Sequence, residues 1–312
     1  MATAQSTVTI VEEQFVSRVV QVQRTEAEET VEVEAESGCG QTSEHTQPQA
    51  FYGYCVLRAS TERRCKDFVK AEIIKRMSGG IAGMTPVEEE IGTFGVFDDH
   101  GGGEVGRLLT EGLFESILQE GGLWSDPAGA TRDAYLCMDR ALLARGVHGG
   151  ATAVTAMLMN AGGRLVVANV GDARAVLCKD GTAVQLSVDH TPEIPVERAN
   201  VEMHGGVVTT FPGDLPRVDG QIAVSRAFGD ATLKGHMSAK PDVSDLLVDM
   251  SFEFLILGSN GLWAAFPSNQ DAVNLIRDIS DPLMAAKFLA HRARDLGSGD
   301  EISCIVVRFR ER

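Results

Sequence analysis

The stretch Phe94-Gly95-Val96-Phe97-Asp98-Asp99-His100-Gly101-Gly102 constrains this chain more than any other, because an apolar strand there runs directly into two acids, a histidine and a glycine turn. A strand end fixes the carboxylates, the glycines let backbone approach a ligand closely, and His100 supplies a proton donor or acceptor near neutral pH. Such a turn suits a hard cation. A second boundary of the same kind, Phe254-Leu255-Ile256-Leu257-Gly258-Ser259-Asn260-Gly261-Leu262-Trp263, places the neutral Asn260 where a metal site would want a charge.

At 312 residues and 44% hydrophobic, the chain has enough apolar material for one large core, so one domain with a tail is expected. The net charge of −16, from 28 basic and 44 acidic residues, argues against nucleic acid or an anionic membrane as the main partner. No apolar run approaches the length of a membrane span, and the N-terminus lacks the pattern of a secretory signal. A cytoplasmic or nuclear location is the expectation. The six cysteines, Cys39, Cys55, Cys65, Cys137, Cys178 and Cys304, form no CxxC pair and have no histidine at zinc spacing, so they are read as reduced thiols. Cys137, Cys178 and Cys304 stand among apolar residues and are expected in the core.

Residues 1–48 differ in composition from the rest. Glu26, Glu28, Glu29, Glu32, Glu34 and Glu36 crowd a segment almost without aromatics, which predicts a disordered acidic tail. The alternation of Val16, Val19, Val20 and Val22 leaves open a strand or a partner-binding segment there. Residues 49–312 read as the folded domain. Leu108, Leu109, Leu113, Phe114, Ile117 and Leu118 share one helical face, and Asp126-Pro127 reads as a cap and first turn for a second helix ending near Arg145. Strands follow at 165–170 and 175–178, and Asp180-Gly181 turns the latter into a strand at 183–186. Two helices, 271–279 and 281–296, precede a last strand at 302–307. Blocks of antiparallel strands alternating with paired helices predict packed sheets with helices outside.

Over roughly residues 51–312 the chain resembles the metal-dependent serine/threonine phosphatases of the protein phosphatase 2C type, with wording most like the plant branch around Ser268-Asn269-Gln270-Asp271-Ala272-Val273. The resemblance rests on Phe94 to Gly102, Gly150-Ala151-Thr152-Ala153, Ala168 to Arg174, Asp189-His190-Thr191-Pro192, Ala223 to Asp230, Ser259 to Trp263, and Gly297 to Glu301, in that order. It implies an α+β fold, a four-layer α-β-β-α sandwich, with two Mg²⁺ or Mn²⁺ ions between the sheets activating a water against a phosphoserine or phosphothreonine. By the same resemblance Asp98 matches a bridging metal ligand, Asp300 a C-terminal metal ligand, Asp172 an acid of a third, weaker metal site, and His100 the proton donor to the leaving alcohol.

Four departures follow. Asp99 stands where the family has a glycine whose carbonyl contacts metal, and Asn260 stands where the family has a charged aspartate ligand. Upstream, with Asp67 anchoring the register, Lys66 replaces a glutamate that holds metal-bound water and Glu62 replaces an arginine that grips phosphate, leaving Arg63 or Arg64 to take that role. Thr191 replaces a lysine after Asp189-His190. Lys66 about 5 Å from a divalent ion, at an effective dielectric near 20, would face a repulsion on the order of 6 kcal/mol before screening; a third of that weakens metal binding more than tenfold.

Asp98, Asp99, Asn260, Asp172 and Asp300 are therefore the candidate metal residues, His100 the candidate acid, and Arg63 and Arg64 the candidate phosphate contacts. Asp189 and His190 read as braces, Ser225 and Arg226 as supports of the site, and Trp263 as core. The expected function is a weakly active or inactive phosphatase-like protein that binds a phosphoprotein or a regulatory partner. The alternative is a working Mg²⁺- or Mn²⁺-dependent phosphatase in which Asp99 restores the lost charge. A monomer without nucleic-acid or membrane partners is expected.

Overall fold

The computed structural model describes residues 16–20, 34–43, 49–59, 66–77, 88–159 and 163–309. In chain order the strands are β1 (Val16–Val20), β2 (Glu34–Gln41), β3 (Phe51–Leu57), β4 (Lys66–Met77) and β5 (Glu88–His100). Helices α1 (Glu104–Gln119) and α2 (Pro127–Ala144) lead to β6 (Gly150–Met159), β7 (Arg164–Val170), β8 (Arg174–Lys179) and β9 (Thr182–Gln185). Helix α3 (Pro195–Met203) and the short strands β10 (Val208–Thr209) and β11 (Arg217–Val218) form a side lobe around Val201, Val218 and Val224, and β12 (Phe228–Gly229) follows. The chain ends with β13 (Asp242–Leu247), β14 (Phe252–Gly258), α4 (Asn260–Trp263), α5 (Asn269–Ile276), α6 (Pro282–Asp295) and β15 (Ile302–Arg308).

Two antiparallel sheets result. One runs β1-β2-β3-β15-β14-β8-β9; the other runs β13-β7-β6-β5-β4, with β12 also paired to β6. Side chains alternate across each strand, so each strand feeds two cores. From β5, Phe94 and Val96 pack between the sheets, while Phe97 faces α1 and α2 together with Leu109, Leu113 and Ile117. On the other sheet, Leu255 and Leu257 of β14 point inward, whereas Phe254 and Ile256 meet α5 and α6 through Val273, Ile276 and Leu289. Three apolar layers thus separate helices, sheet, sheet and helices, and the expected four-layer sandwich is present. The fully buried Leu109, Leu113 and Ile117 alone contribute about 1.5–3 kcal/mol apiece.

Local signals act as expected at the helix ends. Asp126 caps α2 by accepting from the Gly129 N–H, and Asp281 caps α6 through the N–H groups of Leu283 and Met284. Asp180 and Gly181 both take positive φ, 48° and 79°, which is the backbone of a tight hairpin between β8 and β9. Among the described residues no helix is long and apolar enough to cross a membrane.

Two expectations are corrected. Residues 34–41, assigned above to a disordered tail, form β2 and pair along β3 from Ala35↔Leu57 to Gln41↔Phe51. Its glycines make this possible: a Cβ on Gly40 would lie 2.6 Å from the Tyr52 hydroxyl, so the bare backbone accepts the tyrosine ring. Residues 16–20 pair with β2 as a strand. Apart from these and residues 42 and 43, the expected tail lies outside the described residues. Cys137, expected in the core, is exposed on α2, whereas Cys178 and Cys304 are buried.

Candidate metal centre

Strand alternation decides which acids meet. Continuing the inward-facing series Phe94, Val96 brings Asp98 and then His100 to the mouth between the sheets. In β4, Val69, Ala71 and Ile73 pack inward, and the same parity makes Asp67 the next inward residue. Asp67 and Asp98 are direct register partners, so their side chains emerge on one face of the sheet. In β6 the inward series Leu158, Ala156, Val154 ends at Thr152, which is paired with Asp98.

The opposite sheet and its loops close the site. Asp172 follows β7 in a turn fixed by His190, a fully buried side chain whose Nδ1 accepts from the Gly171 N–H at 3.1 Å while Nε2 donates to Asp242 at 2.8 Å. Asn260 opens α4 directly after β14, and its amide donates to an Asp172 oxygen at 3.4 Å. Asp300 and Glu301 precede β15. Glu301 accepts from Arg58 and from the Asp67 N–H, each at 2.7 Å, which ties the two sheets together at the edge of the site.

Asp67, Asp98, Asp172, Asp300 and Glu301 thus share one cavity of ≈ 170 Å³ with His100, Thr152 and Asn260, roofed by Ile222, Ala223 and Val224 of the side lobe. Burial drives the Asp98 carboxyl well above the usual carboxylate range, and the negative charge of Asp67, Asp172, Asp300 and Glu301 adds to the shift. Asp67 is pushed up to about 6, again by burial first, with the Ser303 and Ser259 hydroxyls and Arg58 opposing and Glu301 reinforcing. Burial raises Asp172 as well, with the Asn260 amide pulling the other way. One oxygen of Asp67, Oδ2, is buried without a hydrogen-bond partner. Crowded acids with an orphaned oxygen fit a cation, which would supply the positive charge that these groups lack. Among the described residues no three His, Cys, Asp or Glu side chains stand close enough to close directly on one ion. A cation here would keep part of its water, as Mg²⁺ ordinarily does.

The structure separates residues that adjacency in the sequence had grouped. Asp98, Asp172, Asn260 and Asp300 come together with His100, but the Asp99 side chain does not. Asp99 points to the helix side, is 1% exposed, and accepts from the N–H groups of Gly103 and Gly106 at the start of α1. It caps a helix and restores no charge to the cavity. Lys66 also faces away: it pairs in register with Asp99, and its chain lies 3.3 Å from where a Gly103 Cβ would stand. The expected repulsion between Lys66 and a bound ion is therefore removed, because Lys66 and Asp67 are neighbours on one strand and must face opposite ways. Arg63 and Arg64, with Glu62 and Cys65, lie outside the described residues.

In the sequence Asp67 serves only to anchor the register, and Thr152 and Glu301 are not among the expected site residues. The period-two pattern Asp67, Val69, Ala71, Ile73 carries the signal for the first. Arg174 pairs with Asp189, and the Ser225 hydroxyl and Arg226 guanidinium both bind the carboxylate of Glu197. Trp263 is buried, donating its indole N–H to the Arg174 carbonyl at 3.1 Å.

The two-sheet sandwich thus holds one acidic cavity between its sheet ends, with His100 on its wall. The protein phosphatase 2C family model matches residues 59–302. "Probable protein phosphatase 2C 58" of Arabidopsis thaliana is 43% identical over 261 residues, covering 83% of this chain and 87% of that protein. "Probable protein phosphatase 2C 44" of Oryza sativa subsp. japonica is 49% identical over 224 residues, 71% of this chain and 69% of its own length. Among solved structures, a phosphatase from a pathogenic strain of Toxoplasma gondii aligns with TM-score 0.69 at 21% identity, over 89% of this chain and 96% of that one. A C. elegans sex determining protein aligns with TM-score 0.66 at 23% identity, over 78% and 65% respectively. The chain belongs to the protein phosphatase 2C family.

Proposed function

We propose that this protein is a divalent-cation-dependent protein serine/threonine phosphatase whose affinity for its cations is low, so that turnover demands a high metal concentration. The observation that carries this reading is the convergence of five acidic side chains on one cavity beside His100. Asp98, Asp67 and Asp172 would hold one side of the metal cluster and Asp300 the other. Mg²⁺ or Mn²⁺ bound there would neutralise the substrate phosphate and acidify the attacking water.

His100 stands on the cavity wall to protonate the seryl or threonyl oxygen as it leaves phosphorus. Arg63 or Arg64 is assigned the phosphate contact. Asn260 supplies an oxygen without charge, which costs affinity at its ion. Removing Lys66 from the site takes away one of the two reasons for expecting an inactive protein, and Asn260 remains as the other. A regulator that binds a phosphoprotein without hydrolysing it is the second reading, favoured by that single neutral side chain.

Phosphate release from a phosphothreonine peptide, followed as Mn²⁺ is raised from micromolar to tens of millimolar, separates the two. Turnover that saturates only at the high end and disappears in Asp98→Ala supports the phosphatase. Absence of turnover at every metal concentration supports the binding protein.

A further inference from the structure

His100 does not stand alone on the cavity wall. Its Nε2 lies 2.8 Å from Oδ2 of Asp230, 130 residues away in sequence, and the two side chains are only 25% and 11% exposed. A carboxylate oxygen accepts, so this contact places a proton on Nε2 and leaves Nδ1 as the ring nitrogen for the cavity. We propose that Asp230 is a positioning residue for the phosphatase reaction: it fixes the tautomer and ring orientation from which His100 delivers a proton to the departing alcohol.

Three independent features hold Asp230 to this task. Its backbone has φ 50°, a left-handed conformation that is uncommon outside glycine, though aspartate enters it more readily than most residues, and here hydrogen bonds hold it. The Asp230 N–H donates to the Gly149 carbonyl at 2.8 Å, and the preceding Gly229 N–H donates to Asp139 at 2.9 Å. Asp139, buried on α2, also binds Lys234 at 3.0 Å, which anchors the turn from both sides.

The third feature is space. Gly150 is the register partner of His100, and a Cβ there would lie 2.2 Å from Asp230 Oδ2 and 2.6 Å from His100 Nε2. The missing side chain at 150 is what lets carboxylate and imidazole meet. Turn, anchor and glycine come from three separate segments, and all serve one contact.

The proton step balances simply. As the P–O bond to the leaving oxygen breaks, the bonding pair goes to that oxygen, which takes the Nδ1 proton of a His100 ring that enters the step protonated on both nitrogens. The proton on Nε2 stays with the Asp230 contact, the ring is left neutral, and water returns a proton before the next turnover.

The proposal rests on the phosphatase reading, and its test has one arm that does not. In Asp230→Asn, turnover of a phosphothreonine peptide should fall about 10- to 100-fold in kcat with little change in KM, the usual range for loss of an outer partner that orients a working group. Turnover of p-nitrophenyl phosphate, whose leaving group needs no proton, should fall less than about threefold, because general acid assistance is then worth little. In a His100→Asn background the Asp230→Asn change should add no further loss. Equal losses on both substrates, or losses that add to those of His100→Asn, would overturn the assignment.

The second arm is ¹⁵N NMR of the His100 ring in chelator-treated protein, which reads the tautomer whether or not the protein turns over. The proton should reside on Nε2 in the parent and redistribute toward Nδ1 in Asp230→Ala. A ring signal identical in both proteins refutes the positioning role. An inactive parent whose ring signal shifts as expected sinks the phosphatase reading and leaves the positional assignment standing.

Discussion

Replacing Asn260 by aspartate should convert a hydrogen bond into a repulsion that a bound cation relieves. The Asn260 amide nitrogen now lies 3.4 Å from an Asp172 oxygen. Two unit negative charges at that distance repel by about 5 kcal/mol at an effective dielectric of 20, an upper bound that water at the half-buried Asn260 reduces. Even a third of this, on the order of 1.5 kcal/mol, amounts to more than a tenfold change in binding. Without metal, Asn260→Asp should therefore melt below the parent protein. With metal, the repulsion becomes attraction, so the variant should bind Mn²⁺ at least tenfold more tightly and gain more thermal stability from it. Calorimetric titration with Mn²⁺, paired with melts in chelator and in excess metal (where metal at about 100 times Kd is worth about 2.7 kcal/mol of stabilisation), measures both effects. Equal affinities, or equal melting points in chelator, would refute the reasoning and remove Asn260 from the metal centre.

The other predictions follow from faces and from charge. Asp99→Ala should destabilise the protein by about 1–2 kcal/mol, through loss of the cap on α1, while leaving Mn²⁺ affinity within twofold in the same titration. Lys66→Glu should give no gain in metal affinity, since it faces α1; a gain of tenfold or more would return Lys66 to the cavity. In chelator, stability should fall as pH rises from about 4 to about 6. The folded protein holds a proton on Asp67 that the unfolded chain has already released, and a shift from 3.8 to about 6 amounts to about 3 kcal/mol. Raised Asp98 acts in the same direction. Saturating Mn²⁺ should flatten that slope, and urea titrations at pH 4, 5, 6 and 7 with and without metal would reveal a slope of the wrong sign.

Much of the fold was legible because local pattern and tertiary burial agree. The apolar stripe of α1, the Asp126-Pro127 cap and the Asp180-Gly181 hairpin each specify one conformation without help from distant residues. Strand β2 was not legible, because Glu34, Glu36, Gly38 and Gly40 carry no β preference and its order comes from pairing with β3. Cys137 misleads for the opposite reason, since apolar neighbours along a helix do not all share its face.

Within the site, Asp98, Asp172, Asn260, Asp300 and His100 could be gathered from motifs. The faces of Asp99 and Lys66 were present in the strand alternation, as Phe94, Val96, Asp98 against Phe97, Asp99, and reading adjacent residues as one cluster overrode that period. The contact between Asp230 and His100 was out of reach, because nothing local links residues 130 apart.

Crystals soaked in Mn²⁺ and measured at its absorption edge test most directly whether these carboxylates hold a catalytic cation. Anomalous peaks are expected in the cavity beside Asp98, with the peak nearest Asn260 the weaker and gaining occupancy in Asn260→Asp. A cavity that stays without anomalous density at tens of millimolar Mn²⁺, or peaks that survive in Asp98→Ala, would contradict it.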